Sequence, residues 1–297
     1  MANVKRKKKR KQRWIDLLLV LILVVGLAVV AYPSFSDYWN SFHQSRAIAS
    51  YAESVAVLNT EEYEQMWNDA LLYNEYMGLK PNQWAIEEEE TEAYNARLNV
   101  GGNGNMGFIT IPRINVNLPV YHGTEESVLQ TSVGHIEGTS LPVGSLHPDE
   151  ENFQKVAFAS HCVISGHRGL PSAKLFSDLD KMEIGDTFTF NVLDQTLTYE
   201  VDAINVVLPS DSSLIEIVPD QDLCTLVTCT PYGINTHRLL VRGHRIENEK
   251  AKLNIRITAD AVRIEPIYAA PFIAAPVLLL MAAYVMMMSG RKGRRRS

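Results

Sequence analysis

The sequence predicts a mostly β domain, preceded by helices and flanked by two transmembrane helices. Three observations carry this expectation. From Gly107 onward, short alternating apolar segments recur between Gly, Pro, Asn and Asp, the pattern of strands joined by turns. Upstream, residues 34–78 place apolar side chains at spacings of three and four, the pattern of amphipathic helices. Near each end an apolar run abuts a basic tail, the pattern of a membrane anchor.

Residues 1–13 hold eight Lys or Arg, and residues 291–297 hold five. The net charge of −6 therefore conceals an acidic middle, where 15 basic residues face all 34 acidic ones. Basic tails beside apolar runs point to two compartments and a membrane-lipid contact, and no nucleic-acid partner is expected. The C-terminal run, Ile267–Met288, has 22 uncharged residues, enough to cross a bilayer core. Pro271 and Pro276 within it suggest a kink. The N-terminal run, Leu17–Tyr32, has 16 residues and is extended by Trp14 and Ile15 across Asp16. Val29-x-Ala31 would pass as a cleavage site, but the run is longer than a usual signal-peptide core, which favours a retained anchor. The positive-inside rule then puts both termini in the cytoplasm and residues 33–266 outside. The expected organisation is a basic cytoplasmic tail at 1–13, an anchor (or signal peptide) at 14–32 and helices at 33–78. A long loop at 79–106, a β domain at 107–250 and a juxtamembrane linker at 251–266 follow. A transmembrane helix at 267–289 and a basic cytoplasmic tail at 290–297 complete the chain.

Each element has its own justification. Ile48, Tyr51, Val55 and Leu58 form one apolar stripe, and Tyr63, Met66, Ala70, Tyr73 and Met77 form another. Asn59-Thr60-Glu61-Glu62 between them has the composition of a helix cap. Both stripes read as packing faces against the following domain. Residues 79–106 contain Lys80-Pro81, the run Glu87–Glu90 and Gly101-Gly102-Asn103-Gly104. No periodicity persists there, so the stretch reads as a long loop with a solvated acidic run, and long loops in compact domains are usually functional or disordered. Strands are expected at Phe108–Ile111, Val116–Val120, Val156–Ser165, Thr187–Val192, Thr196–Val207, Thr225–Cys229 and Leu239–His244. Their spacing suggests a closed or nearly closed barrel. Leu175-Phe176-Ser177-Asp178-Leu179 reads as a short helical turn.

The chemistry concentrates between Thr225 and Arg245. Thr225–Thr228 are β-branched or apolar and fit a pleated surface. Pro231, Gly233 and Asn235 supply turn chemistry, and Leu239–Val241 run back as a second strand. Cys229 thus sits where a strand meets a loop, with Arg238 near the start of the next strand. A positive charge near a cysteine favours the thiolate, which is the nucleophile. His167 lies where another apolar strand, Cys162-Val163-Ile164, runs into a glycine-containing loop. Three cysteines make no disulfide framework. Cys162 and Cys224 read as buried small hydrophobes, and a disulfide between them requires a Cα separation that sequence does not supply. There is no Cys-x-x-Cys and no His-Glu-x-x-His, so no metal site is expected.

Several of these segments together resemble the sortases, the exofacial cysteine transpeptidases of Gram-positive bacteria. Thr225-Leu226-Val227-Thr228-Cys229 followed by Arg238 is similar to the family signature. Thr228-Cys229-Thr230-Pro231-Tyr232-Gly233-Ile234-Asn235-Thr236-His237-Arg238-Leu239-Leu240-Val241-Arg242-Gly243 resembles class C, the pilus-assembling branch. Gly166-His167-Arg168-Gly169 resembles the catalytic-histidine motif. Gly107–Pro112 and Leu118–Thr124 are similar to the first strands, and Gly134–Gly144 to a further class C segment. The resemblance covers about residues 106–246. It implies an eight-stranded barrel, with Cys229, His167 and Arg238 as the catalytic set. Thr228 and His237 become candidates for lining or supporting the pocket. The spacing from the cysteine selects Arg238 over Arg242, which reads as an ion-pair partner. His161 is the nearest rival of His167, His122 and His135 read as structural, and His43 and His147 as surface residues.

The resemblance further implies acyl transfer through a thioester at the Thr of a Leu-Pro-X-Thr-Gly sorting signal. The acceptor would be a pilin lysine amine, and the partners would be pilin subunits carrying such a signal. No cofactor is implied, since the thioester conserves the free energy of the peptide bond. Two alternatives differ only in the acceptor: a peptidoglycan amine in cell-wall anchoring, or water in a membrane-tethered cysteine hydrolase. A non-catalytic pilus scaffold is a further class. Class C enzymes carry a lid with an Asp-Pro-aromatic motif, which is absent here. Pro81-Asn82-Gln83-Trp84 is the nearest match, so Trp84 is the lid candidate.

Overall fold

The computed structural model describes residues 2–144 and 159–248, with side chains from residue 14 onward. Among these, residues 2–38 belong to one compact unit and residues 39–248 to another. The segments 145–158 and 249–297 lie outside the described residues. The expected linker, second transmembrane helix and C-terminal tail fall there, as do His147 and the start of the strand expected from Val156.

Helix α1 runs Ala2–Ala56 with Pro33 inside it. The division expected between residues 32 and 33 is therefore not a break in structure: the anchor and the first helix are one element. Its apolar portion, from Trp14, is one helix long and apolar enough to cross a membrane, and none of that window is buried. Helix α2 is Thr60–Leu79, and Asn59 caps it as its composition suggested. The Asn59 side chain accepts from the Glu62 N–H at 2.9 Å, and Glu62 accepts from the Asn59 N–H at 3.1 Å. Such a reciprocal pair satisfies two of the N–H groups that a helix start leaves free. The buried face of α2 includes Ala70, Tyr73 and Met77, with Tyr63 and Met66 packed partly against the same core. Asn74, also buried, donates to the carbonyls of Leu141 and Gly144 and accepts from the Leu141 N–H, which ties α2 to the barrel.

Residues 79–106 are not a featureless loop. They contain helix α3, Glu88–Ala96, which starts in the acidic run. Carboxylates are favoured in a helix's first turn because the free N–H groups there carry partial positive charge. That force nucleates α3 where the apolar pattern gives no signal. Glu90 is not merely solvated either. It pairs with Lys80 at 2.8 Å, accepts from the Tyr76 hydroxyl and from the Glu87 N–H, and these bonds hold its carboxyl down at about 2. At the far end of α3, Tyr94 is 1 % exposed. Its hydroxyl donates to Nδ1 of His135 at 2.8 Å, because Nε2 of that ring donates to the Ser140 carbonyl. His122 meets the Tyr94 ring edge-on. His122 and His135 thus dock α3 onto the barrel, as structural residues.

The barrel is built from β1 (Asn105–Ile111), β2 (Val116–His122), β3 (Val133–His135), β4 (Ala159–Ser165), β5 (Thr187–Val192), β6 (Gln195–Val207), β7 (Gln221–Thr230) and β8 (His237–Ile246). A four-residue helix α4, Glu126–Leu129, lies between β2 and β3. The strands close in the order β1-β2-β3-β4-β7-β8-β6-β5. β2 with β3 and β4 with β7 are parallel; the other neighbours are antiparallel. β3 has no counterpart among the sequence-expected segments. It is three residues long and contains Gly134, too short for alternation to register. The helical turn expected at Leu175–Leu179 sits slightly later, as a 3₁₀ turn at Leu179–Lys181. Inward side chains such as Ile109, Ile164, Phe188, Leu226 and Val241 are fully buried, each contributing on the order of 1.5–3 kcal/mol by leaving water.

Candidate active site

The parallel pairing of β4 with β7 places the two principal candidates. Its register runs from Ala159↔Gln221 to Ser165↔Val227. One step further, the Gly166 N–H donates to the Val227 carbonyl at 3.0 Å, and Oγ1 of Thr228 donates to the Gly166 carbonyl at 2.7 Å. His167 therefore emerges beside Cys229. On the other flank of β7, Cys229 is the direct partner of Arg238 in β8. Cysteine and arginine are paired on adjacent strands, and the histidine follows in the loop after β4 on the opposite flank of β7.

Alternation fixes which face Cys229 occupies. Cys224 and Leu226 point into the core, so Val227 and Cys229 point outward. Below Cys229, Val163, Val227 and Leu240 form a small apolar cluster on the same outer face, with Ile136, Val207 and Ile215 packed against it. Ile215 belongs to the β6–β7 loop. That loop is held down by His161, whose Nδ1 donates to the Glu216 carbonyl and whose Nε2 accepts from Thr225 Oγ1, both at 2.7 Å. Burial pushes His161 down to about 4. His161 is thus a neutral, buried support for that loop, whereas His167 is partly exposed. Arg242 is paired with Asp202 through two hydrogen bonds, as expected for an ion-pair partner.

The contacts of four residues, Glu126, Arg168, Gly169 and Tyr232, escaped sequence reasoning. Glu126, at the start of α4, places Oε2 at 3.4 Å from Nε2 of His167. Arg168 has a side chain only 8 % exposed and pairs with Asp180. It also donates to Thr230 Oγ1 at 3.2 Å and lies 5.9 Å over the Tyr232 ring. Arg168 thus clasps the loop after β4 to the loop after β7. Gly169, at φ 77°, lets Tyr232 approach, since a Cβ there would sit 2.9 Å from the ring. Both Arg168 and Tyr232 stand inside recognised motifs, but nothing in the sequence joins residues that far apart.

The remaining candidates are placed as follows. Thr228 is 2 % exposed and does not line a pocket; it supports the backbone just before His167. His237 is half-buried, takes Thr236 Oγ1 as its ring partner at 3.0 Å, and offers its carbonyl to Arg238 Nη1 at 3.2 Å. Trp84 lies between α2 and α3. Its ring lies against Gly138, while Gln83 accepts from the Ile217 N–H at 3.1 Å. No hydrogen bond, ion pair or ring contact among the described residues joins residues 79–106 to His167, Cys229 or Arg238. Through Gln83 the segment is tied to the β6–β7 loop.

A model of the sortase domain matches residues 109–246. Sortase C1 from Streptococcus agalactiae superposes with a TM-score of 0.62 at 48% identity, covering 68% of this chain and 99% of that one. The chain belongs to the sortase family. Sortase C from Streptococcus pneumoniae is similar as well, at 40% identity and a TM-score of 0.56, covering 68% of this chain and 97% of that one. Sortase D of Bacillus subtilis is 29% identical over 143 residues, 47% of this chain and 63% of that protein. These structural neighbours place the protein with the class C sortases, and it is a cysteine transpeptidase.

Proposed function

We propose that this sortase cleaves a Leu-Pro-X-Thr-Gly-type sorting signal between Thr and Gly and joins the Thr carbonyl to a pilin lysine. The observation that carries this reading is the pairing of Cys229 with Arg238 across β7 and β8, with His167 in the loop that follows β4 on the other flank of β7. In this reading, Sγ of Cys229 attacks the Thr carbonyl carbon. Arg238 lies on the flank where the oxyanion develops and donates to it. His167 gives its proton to the departing glycine amine, leaving a thioester on Cys229. The lysine amine then attacks the thioester, its proton passes to His167, and the Cys229 sulfur leaves. The apolar cluster below Cys229 suits the Leu and Pro that precede the scissile bond. The pilin acceptor is supported by the class C neighbours, among them the S. pneumoniae enzyme described in terms of pilin substrate specificity.

The proposed setting is the membrane. The apolar part of α1 anchors the chain, with the basic residues before it in the cytoplasm and the barrel outside. The second span expected at 267–289 and the tail at 290–297 lie outside the described residues. The test of function is a sorting-signal peptide presented with and without an amine. Transpeptidation only with the amine, abolished by Cys229→Ala and retained by Cys162→Ala, is the expected result. Product release by water at the same rate in both conditions would identify a hydrolase instead.

A further inference from the structure

Of the three cysteines in the chain, Cys229 is the proposed nucleophile. The other two face each other. Cys162 of β4 and Cys224 of β7 are direct partners in the parallel register. Both point into the core, 2 % and 1 % exposed. Both are free thiols in this structure. Adjacent strands lie about 4.7–4.9 Å apart, inside the Cα window of about 4.4–6.8 Å for a disulfide and slightly beyond its Cβ separation of about 3.5–4.5 Å, so closing the bond draws the two strands together locally. Two cysteines that share a core position on neighbouring strands, far apart in sequence, are poorly explained as two independent small hydrophobes.

We propose that Cys162 and Cys224 are joined by a disulfide in the exported protein. The bond would cross-link β4 five residues before His167 and β7 five residues before Cys229. It would fix the register that sets histidine beside cysteine. The oxidant is an extracytoplasmic protein or small molecule that itself holds a disulfide. The thiolate of one cysteine attacks that disulfide, forming a mixed disulfide and expelling one oxidant sulfur. The second cysteine's thiolate attacks the first's Sγ, closing Sγ–Sγ and expelling the other oxidant sulfur. Both protons end on the oxidant, which is reduced by two electrons. Burial pushes the Cys162 thiol up, so the folded pair exchanges slowly, and the bond forms while the chain is closing its barrel.

The inference rests on the exofacial placement proposed above, because the cytosol keeps thiols reduced. The experiment separates the two. The full-length Cys229→Ala chain is extracted from membranes in detergent, with an alkylating reagent present from lysis onward. It is then denatured, and its free thiols are counted and its intact mass measured. The expected result is a majority of chains with no alkylatable thiol, and with two after phosphine reduction. Reduction should also lower Tm by roughly 5–15 °C, and the Cys162→Ala/Cys224→Ala double variant should show no response to reductant. In parallel, the reduced chain is refolded in a glutathione buffer rich in the reduced form. Two alkylatable thiols in the extracted chain would overturn the proposal. If the bond then forms in the refolding arm, the exofacial reading falls with it. If it forms in neither, the strand geometry is at fault and the topology stands.

Discussion

Arg168 offers the sharpest test of how the proposed catalytic residues are held. Its guanidinium reaches three partners: Asp180, the Thr230 hydroxyl and the Tyr232 ring. Asp180 is half-exposed while the arginine is 8 % exposed, so the ion pair is only partly desolvated and contributes about 1–2 kcal/mol. The hydroxyl bond adds about 1 kcal/mol, and the ring about 0.5–1 kcal/mol. Arg168→Ala should therefore cost about 2–4 kcal/mol, a fall in Tm of roughly 5–15 °C. Arg168 acts on the chemistry only through its neighbours, one residue from His167 and through Thr230 one residue from Cys229. Loosening both loops misplaces the reacting groups relative to each other, and misplacement by about 1 Å can cost 10²-fold. We expect kcat for transpeptidation to fall by about 10- to 100-fold, with KM for the peptide changing much less. Arg168→Lys keeps the charge but loses the planar fork, and should recover stability better than rate. The assay is single-turnover thioester formation together with thermal unfolding, for both variants and for Tyr232→Ala. Wild-type kcat in Arg168→Ala at a lowered Tm would show that the clasp serves stability alone and would refute the positioning argument.

Further predictions concern the surroundings of these residues. Thr228→Val keeps the shape but removes the bond to the Gly166 carbonyl; it should cost about 1–2 kcal/mol and slow acylation, as measured by denaturant unfolding and peptide capture. Glu126→Gln removes the carboxylate beside His167 and should lower kcat for transpeptidation while leaving Tm unchanged. A wild-type kcat would mean that the contact is incidental. Trp84→Ala should leave labelling of Cys229 by a bulky thiol reagent near the wild-type rate, since the indole packs at Gly138; a large acceleration would restore a covering role for the segment. His135 and His161 are pushed by burial to about 3 and about 4. Below about pH 6.5 the unfolded chain binds protons that these folded residues refuse, so stability should fall by up to about 2.7 kcal/mol per pH unit between pH 6 and pH 4. His161→Gln should flatten the dependence seen in urea titrations at stepped pH.

The strands were legible where alternation had room to show itself. β5, β6 and β8 have one face in the core and one toward solvent or loop, and their periods read directly. β3 and α3 were not legible. One is held by its neighbours on both sides rather than by its own pattern. The other is specified by carboxylates at its N-terminus and a single buried tyrosine, neither of which is periodic. The cap at Asn59 was legible because capping is local chemistry among four consecutive residues. The docking of Tyr94 onto His135 was not, because it depends on which ring nitrogen the Ser140 carbonyl occupies.

The same distinction orders the site. His167, Cys229 and Arg238 could be named from motifs, yet their meeting is a property of register. In a parallel pair, a slip of β4 by one residue would set Gly166 or Arg168 beside Cys229 and turn each side chain to the opposite face. Apolar patterning alone resists such a slip weakly here, because β4 and β7 are buried on both faces. Polar contacts on the two faces resist it instead. On the outer face His161 finds Thr225 Oγ1. Nearer Cys229, Thr228 finds the Gly166 carbonyl. Beyond it Arg168 finds Thr230. Each bond is satisfied in only one alignment, and a slipped strand would leave each as a buried unpaired group costing about 1–3 kcal/mol. The specificity of the proposed catalytic arrangement therefore resides less in its three candidate side chains than in the hydroxyls and the guanidinium between them.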